Sequence, residues 1–442
     1  MAKIINSIGV ISLLAVCGSL ELIAQQASGT LEIAPAIELK FTSGDDSVTT
    51  LLGSDNLGTW TEVSHEFTAK AKSLNVFLPS AEKAKFYRLE TFPVDDLAGT
   101  LETVRATHGL PGLSAVVVLS NRVVGIGAAG VRKIGTTAAA TIEDKWHIGS
   151  CTKSVTGLLA AMFVEEGLIE WSSTLGEIFP EYRAGMHAQW RDVPLEWLLQ
   201  NRSGAPGAVD PVLWNAMWNF PGSPKDSRVH MLTNITKVAP NPAPGTTYVY
   251  SNTGFAMAGA MLEKVANGEW EALVRDRIFK PLGMSSSGFG VPATPRYLDQ
   301  PWGHVLQANA VTPVQPGIAA DNPTGNAPAG AIHASLMDLA KYVMLHLEGA
   351  KRETELLDAE SFSKLHTPPP GQDYAMGWNV VVRDWAGGKA LNHAGSNTQW
   401  YTVIWMAPER GFAVVANANF GGNSAAVAID EVVIAAIEKY LP

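Results

Sequence analysis

Ser150 and Lys153 stand three residues apart in Gly149-Ser-Cys-Thr-Lys153, a spacing that can couple a hydroxyl to an amine. The run behind them repeats apolar residues at helical spacing, through Val155, Leu158, Leu159, Met162 and Phe163, and Gly167 is a natural stop. Ser150 therefore belongs to a helix amino terminus, with Lys153 one turn on along the same face. An amine there accepts the serine proton if partial burial lowers its pKa from roughly 10 towards neutrality. Backbone N–H groups and the positive dipole end at such a terminus can steady an oxyanion. That combination is chemistry for acyl transfer. The same spacing at Ser80-x-x-Lys83 and Ser361-x-x-Lys364 has no such surroundings. Cys151, next to the serine, reads as a small apolar filler.

Two further stretches downstream can complete a site. Tyr250-Ser-Asn252 follows a turn at Pro244-Gly and precedes an apolar helix over 255–266. In an extended piece, residues two apart face the same way, so Tyr250 and Asn252 can address one site. The phenol can relay protons to a leaving group, and the amide can orient Lys153 and a substrate carbonyl. His393-Ala-Gly395-Ser396 lies between predicted strands near 389 and 401. Gly395 removes a side chain where substrate must approach backbone, and the Ser396 N–H can serve as a second oxyanion donor.

What must position these residues is a chain of 442 residues, long enough for two or three domains. With 46% hydrophobic and 17% charged residues it is globular. A formal net charge of -10 argues against a nucleic-acid surface. The histidines lack metal-ligand spacing and no His-Glu-x-x-His occurs, so neither metal nor cofactor is expected. No Gly-x-Ser-x-Gly elbow occurs, which disfavours an α/β-hydrolase. Lys3 and the apolar run over 8–16 read as an export signal over 1–27, giving a periplasmic or secreted protein. Anchoring through an uncleaved signal or through Cys17 is the lesser alternative. With the signal gone, Cys151 is the one remaining cysteine and no intrachain disulfide forms.

Residues 28–92 read as a small all-β sandwich module, with strands at Leu31-Glu-Ile-Ala, Ile37-Glu-Leu-Lys-Phe, Leu74-Asn-Val-Phe-Leu and Phe86-Tyr-Arg-Leu, and Trp60 in its core. Association with the cell envelope would run through this module. Residues 93–442 form the second domain. It starts with a helix to about 108 and a hairpin over 113–119 and 122–129 turning at Asn121. Helical patterns fill the middle, strands return at 377–382, 401–406 and 412–416, and a helix over 424–439 ends the chain. The class is α+β: one antiparallel sheet built from distant segments, flanked by helices, with an inserted helical lobe. Trp214 and Trp218, at i and i+4, read as a helical core stripe, with a pocket wall as the alternative.

With those motifs in hand, residues 95–440 resemble the serine β-lactamase and penicillin-binding-protein superfamily. The similar branch holds class C β-lactamases, D-alanyl-D-alanine carboxypeptidases and related carboxylesterases. Trp146-His-Ile-Gly-Ser-Cys-Thr-Lys153, Leu195-Glu-Trp-Leu-Leu-Gln-Asn-Arg-Ser-Gly204 and Pro281-Leu-Gly-Met284 support it. The resemblance implies Ser150 as acylated nucleophile, Lys153 as proton acceptor, Tyr250 as acid and base, and Asn252 as a positioning residue. It implies the N–H groups of Ser150 and Ser396 as the oxyanion hole, and a small-molecule or peptide substrate carrying an amide, ester or lactam bond. His393 is the departure, because most β-lactamases of this group carry Lys there. A neutral imidazole holds a carboxylate less firmly than an ammonium, so amide or ester hydrolysis is expected over strong lactam hydrolysis. The rival reading is a catalytically silent binding or envelope-attachment protein on the same fold.

Overall fold

A computed structural model describes residues 10–13, 20–27, 30–42, 47–54, 61–68, 73–79, 86–352 and 354–441, with side chains from Phe92 onward. The chain divides into Met1–Asp96 and Leu97–Pro442. In the first unit the described strands form two antiparallel sheets. One runs Val10–Leu13, Phe86–Pro93, Ser47–Ser54, Thr61–Thr68; the other runs Leu20–Ala27, Thr30–Thr42, Ser73–Pro79. Two strands expected at Leu31 and Ile37 are one strand of 13 residues. Its first part pairs with Leu20–Ala27 and its second with Ser73–Pro79, and the two ladders overlap at Ala36 and Ile37. Much of the segment read as a signal, with Cys17, Trp60, Ser80 and Lys83, lies outside the described residues, as do the side chains on which a sandwich packing would rest.

In the second unit the sheet runs Tyr374–Ala375, Trp378–Arg383, Gly388–Ser396, Tyr401–Ala407, Phe412–Ala418, Gly112–Leu119, Arg122–Gly130, all antiparallel. Its middle joins the two ends of the unit, with Val415 opposite Val116. The expected hairpin turns at Ser120 and Asn121, at φ 52° and 58°, the left-handed pair that matches strand twist. Leu113, Ala115 and Val117 share one face with Val414 and Ala416, and the helices Ala98–Thr107 and Asn423–Tyr440 cover it through Leu101, Val104, Ile429 and Val432. The intervening Val116, Val118, Ala413 and Val415 are fully buried and face the other way.

Two helices carry the candidate site. Thr152–Glu165 is buried at every position from Thr152 to Phe163, so it lies within the molecule rather than on its surface. Asn252–Ala266 is buried from Thr253 to Glu263. Arg228 anchors this second helix: fully buried, it donates to Glu263 at 2.6 and 2.9 Å, to Glu271 at 2.7 and 3.0 Å, and to the Thr324 carbonyl at 3.0 Å. The helix Pro211–Trp218 departs from the core stripe expected of it. Only Met217 is buried, while Trp214 and Trp218 are half-buried and meet edge to face at 6.5 Å.

Candidate active site

Ser150 sits in a single 3₁₀ turn, Gly149–Cys151, that leads directly into the helix Thr152–Glu165. Lys153 is fully buried, and its Nζ lies 3.0 Å from Ser150 Oγ, 2.7 Å from Asn252 Oδ1 and 2.8 Å from the Ala329 carbonyl. Burial presses this amine well below the ordinary lysine range. A neutral amine has two N–H groups and one lone pair. The two carbonyl oxygens take the N–H groups, and the lone pair is left to the serine O–H.

Tyr250 closes the group from the other side. Its side chain faces Ser150, and its ring centroid lies 4.7 Å from Lys153 Nζ. Burial holds the phenol well above its usual range, against the opposing pull of Ser150, so it stays protonated. The segment is extended only as far as Ser251. Asn252 is the first helical residue, because the Ser251 hydroxyl caps the Gly254 N–H at 3.1 Å. The expected extended Tyr-x-Asn is therefore a loop that is extended at Ser251, followed directly by a helix start. Both side chains still reach the Ser150–Lys153 pair.

The strand Gly388–Ser396 lies against the nucleophile turn, backbone to backbone. A Cβ at Gly395 would collide with the Ile148 carbonyl and stand 2.7 Å from Ser150 N. A Cβ at Gly149, whose φ is 48°, would collide with Ser396 N. The main-chain nitrogens of Ser150 and Ser396 thus border one seam, which can serve a developing oxyanion. Cys151 beside them is fully buried, its Sγ 3.4 Å from the His393 carbonyl, and burial pushes its thiol up. Its burial and its contact with the His393 carbonyl fit the apolar filler expected there.

His393 is buried at 3% exposure, its ring 6.3 Å from that of Tyr250. Nδ1–H donates to the Ala394 carbonyl at 2.7 Å, which leaves Nε2 to accept from the Tyr374 hydroxyl at 3.2 Å. Burial, with Lys153 nearby, brings its pKa down to about 3, so the ring is neutral. Tyr374 and the Ala329 carbonyl were not legible in the sequence. Neither belongs to a motif, and both arrive through the fold.

A sequence profile described as Beta-lactamase matches residues 97–439. The chain belongs to the beta-lactamase family. Its α+β sheet and flanking helices are the fold of this family of serine hydrolases. Penicillin-binding protein 4 of Amycolatopsis lactamdurans is 24% identical over 332 residues, covering 72% of this chain and 84% of that one. Unguisins hydrolase ungD' of Aspergillus campestris is 26% identical over 364 residues, covering 76% of this chain and 64% of that one. Among solved structures, the octameric penicillin-binding protein homologue from Pyrococcus abyssi superposes with a TM-score of 0.63 at 25% identity, over 78% of this chain and 79% of that one. The D-amino acid amidase from Ochrobactrum anthropi SV3 gives 0.62 at 19% identity, over 78% and 98%, a likeness of fold alone. This family member has no helix, among the described residues, long and apolar enough to cross a membrane.

Proposed function

We propose that the protein hydrolyses a small amide or ester through an acyl-enzyme on Ser150. The observation that carries this reading is the buried Lys153 amine, 3.0 Å from Ser150 Oγ with its remaining partners both carbonyl oxygens. In the proposed cycle Ser150 Oγ attacks the acyl carbon as its proton passes to Lys153 Nζ. The oxyanion rests on the N–H groups of Ser150 and Ser396, with Gly395 giving the clearance. Asn252 holds Lys153 in place, and Tyr250 gives its proton to the leaving oxygen or nitrogen. Water then attacks the acyl-enzyme with the same groups in reverse roles.

Substrate class follows from His393. The imidazole is neutral and both ring nitrogens are engaged within the protein, so it offers no charge to a substrate carboxylate. Uncharged esters and amides fit this wall better than carboxylate-bearing lactams or D-Ala-D-Ala peptides. A relative named for hydrolysis of unguisins is compatible with hydrolase activity. Export through residues 1–27 and an envelope role for 28–92 belong to the same proposal, and sequencing the amino terminus of the mature protein tests the first.

The test has two parts. A fluorescent fluorophosphonate should label the wild type and leave Ser150→Ala unlabelled; equal labelling of both would remove Ser150 as nucleophile and leave the catalytically silent reading standing. Parallel assays on p-nitrophenyl butyrate, a D-Ala-D-Ala peptide and nitrocefin should rank the ester first. Steady nitrocefin turnover above that of the ester would overturn the substrate assignment.

A further inference from the structure

A largely buried chain of polar side chains runs behind both halves of the seam between Ser150 and Ser396. His147 ends the strand Lys145–His147, is fully buried, and stands two residues before Gly149. Its Nδ1 accepts from the Gly149 N–H at 3.1 Å, which puts the ring proton on Nε2. Nε2–H donates to Asp321, 3.0 Å from one carboxylate oxygen and 3.1 Å from the other. Asp321 Oδ1 accepts from Asn397 Nδ2 at 3.3 Å and from the Asn322 N–H at 2.7 Å. Asn397 directly follows Ser396, and its Oδ1 accepts from the N–H groups of Gln399 and Trp400, both at 3.2 Å. Trp400 returns to the start of the chain, its indole stacked on the His147 ring at 5.6 Å.

We propose that His147, Asp321 and Asn397 are positioning residues that set the distance between the two oxyanion N–H groups. The inference rests on the acyl-enzyme reading above. One end of the chain grips the peptide just before Ser150, and the other grips the turn just after Ser396. Both grips fall where the backbone is least self-determined: Gly149 has no Cβ and a φ of 48°, and Thr398 in the turn has a φ of 75°. Stabilisation of an oxyanion depends on where its donors point, and a displacement of about 1 Å can lower a rate about 100-fold. A carboxylate, an imidazole and an amide bonded in series fix a separation that an apolar filling of the same volume would leave free.

Three variants break the chain at different bonds. His147→Asn keeps an acceptor near the Gly149 N–H but falls short of Asp321, His147→Gln reaches Asp321 but gives up that acceptor, and Asp321→Ala removes the middle. Enzyme is counted by fluorophosphonate titration, so that misfolded protein does not enter the rates. On p-nitrophenyl butyrate each variant should lose about 10- to 100-fold in kcat, with KM within about threefold. The inhibition constant of an arylboronic acid, which becomes tetrahedral on the serine, should rise by a matching factor. Titrated kcat and boronate affinity within about twofold of wild type in all three variants would overturn the positioning role. Ser150→Ala run alongside separates the layers: if it keeps wild-type turnover, the acyl-enzyme reading falls and takes this inference with it, whereas an inactive Ser150→Ala beside normal brace variants removes the brace alone.

Discussion

Lys153 and Tyr250 are displaced in opposite directions by the same cause. Desolvation disfavours charge, so the amine is held neutral and the phenol is held protonated. One group is thereby ready to take a proton and the other to give one at the same pH, without any third catalyst. Lys153→Ala and Tyr250→Phe should each lose at least about 100-fold in kcat/KM, the usual scale for removing a general base or acid. A near-normal rate in either would take that residue out of its role. The same reasoning fixes the shape of the pH profile. Activity should fall on the acid side as Lys153 gains its proton and stay flat to high pH, because the phenol does not ionise there. A profile that rises towards acid would contradict a neutral amine.

At the scale of elements, the site is where a helix start meets a strand edge with no side chain between them. The apolar spacing after Ser150 announced the helix, and that element was legible because its period does not depend on partners. The Tyr250 segment was only half legible. The sequence reads as an extended piece through Asn252 with a helix from 255, but the Ser251 hydroxyl accepts from the Gly254 N–H and the helix starts at Asn252, three residues earlier. The contact itself makes a sharp prediction. Gly395→Ala and Gly149→Ala each put a methyl group into opposing backbone, and Gly149 also needs a left-handed φ. Each should reduce kcat/KM by about 100-fold or more, beyond any loss of folded protein read by circular dichroism, because the seam must widen. Alanine variants with wild-type turnover would mean that the strand and the turn are not held this close in solution.

For the molecule as a whole, the fold stores several uncharged histidines. Burial brings His393 and His346 down to about 3, and His304 and His333 down to about 4. His346 Nδ1 and His366 Nε2 lie 2.9 Å apart, a bond that needs one of those nitrogens unprotonated, and burial holds His366 well below its usual range too. The sign follows from linkage. The unfolded chain binds these protons near pH 6.5 while the folded chain refuses them, so stability is complete above about 6.5 and is lost progressively as pH falls towards 3 to 4. The Tm should therefore drop between pH 7.5 and pH 5, and the double substitution His346→Leu, His366→Leu should flatten the slope. A Tm that holds or rises over that interval would contradict the neutral buried state.

The sequence by itself determined the local parts. Helices at Ser150 and at the carboxyl end, the 113–130 hairpin and the returning strands are written in periodicities of 3.6 and 2 and in turn residues, which act over a few positions. It also singled out Ser150, Lys153, Tyr250, Asn252 and Gly395 as the residues to bring together. Only the tertiary structure decided that Lys153 is dry, that Tyr374 occupies the free nitrogen of His393, and that Asp321 ties His147 to Asn397. Burial and long-range pairing depend on what the rest of the chain excludes from a place, and no local spacing encodes that.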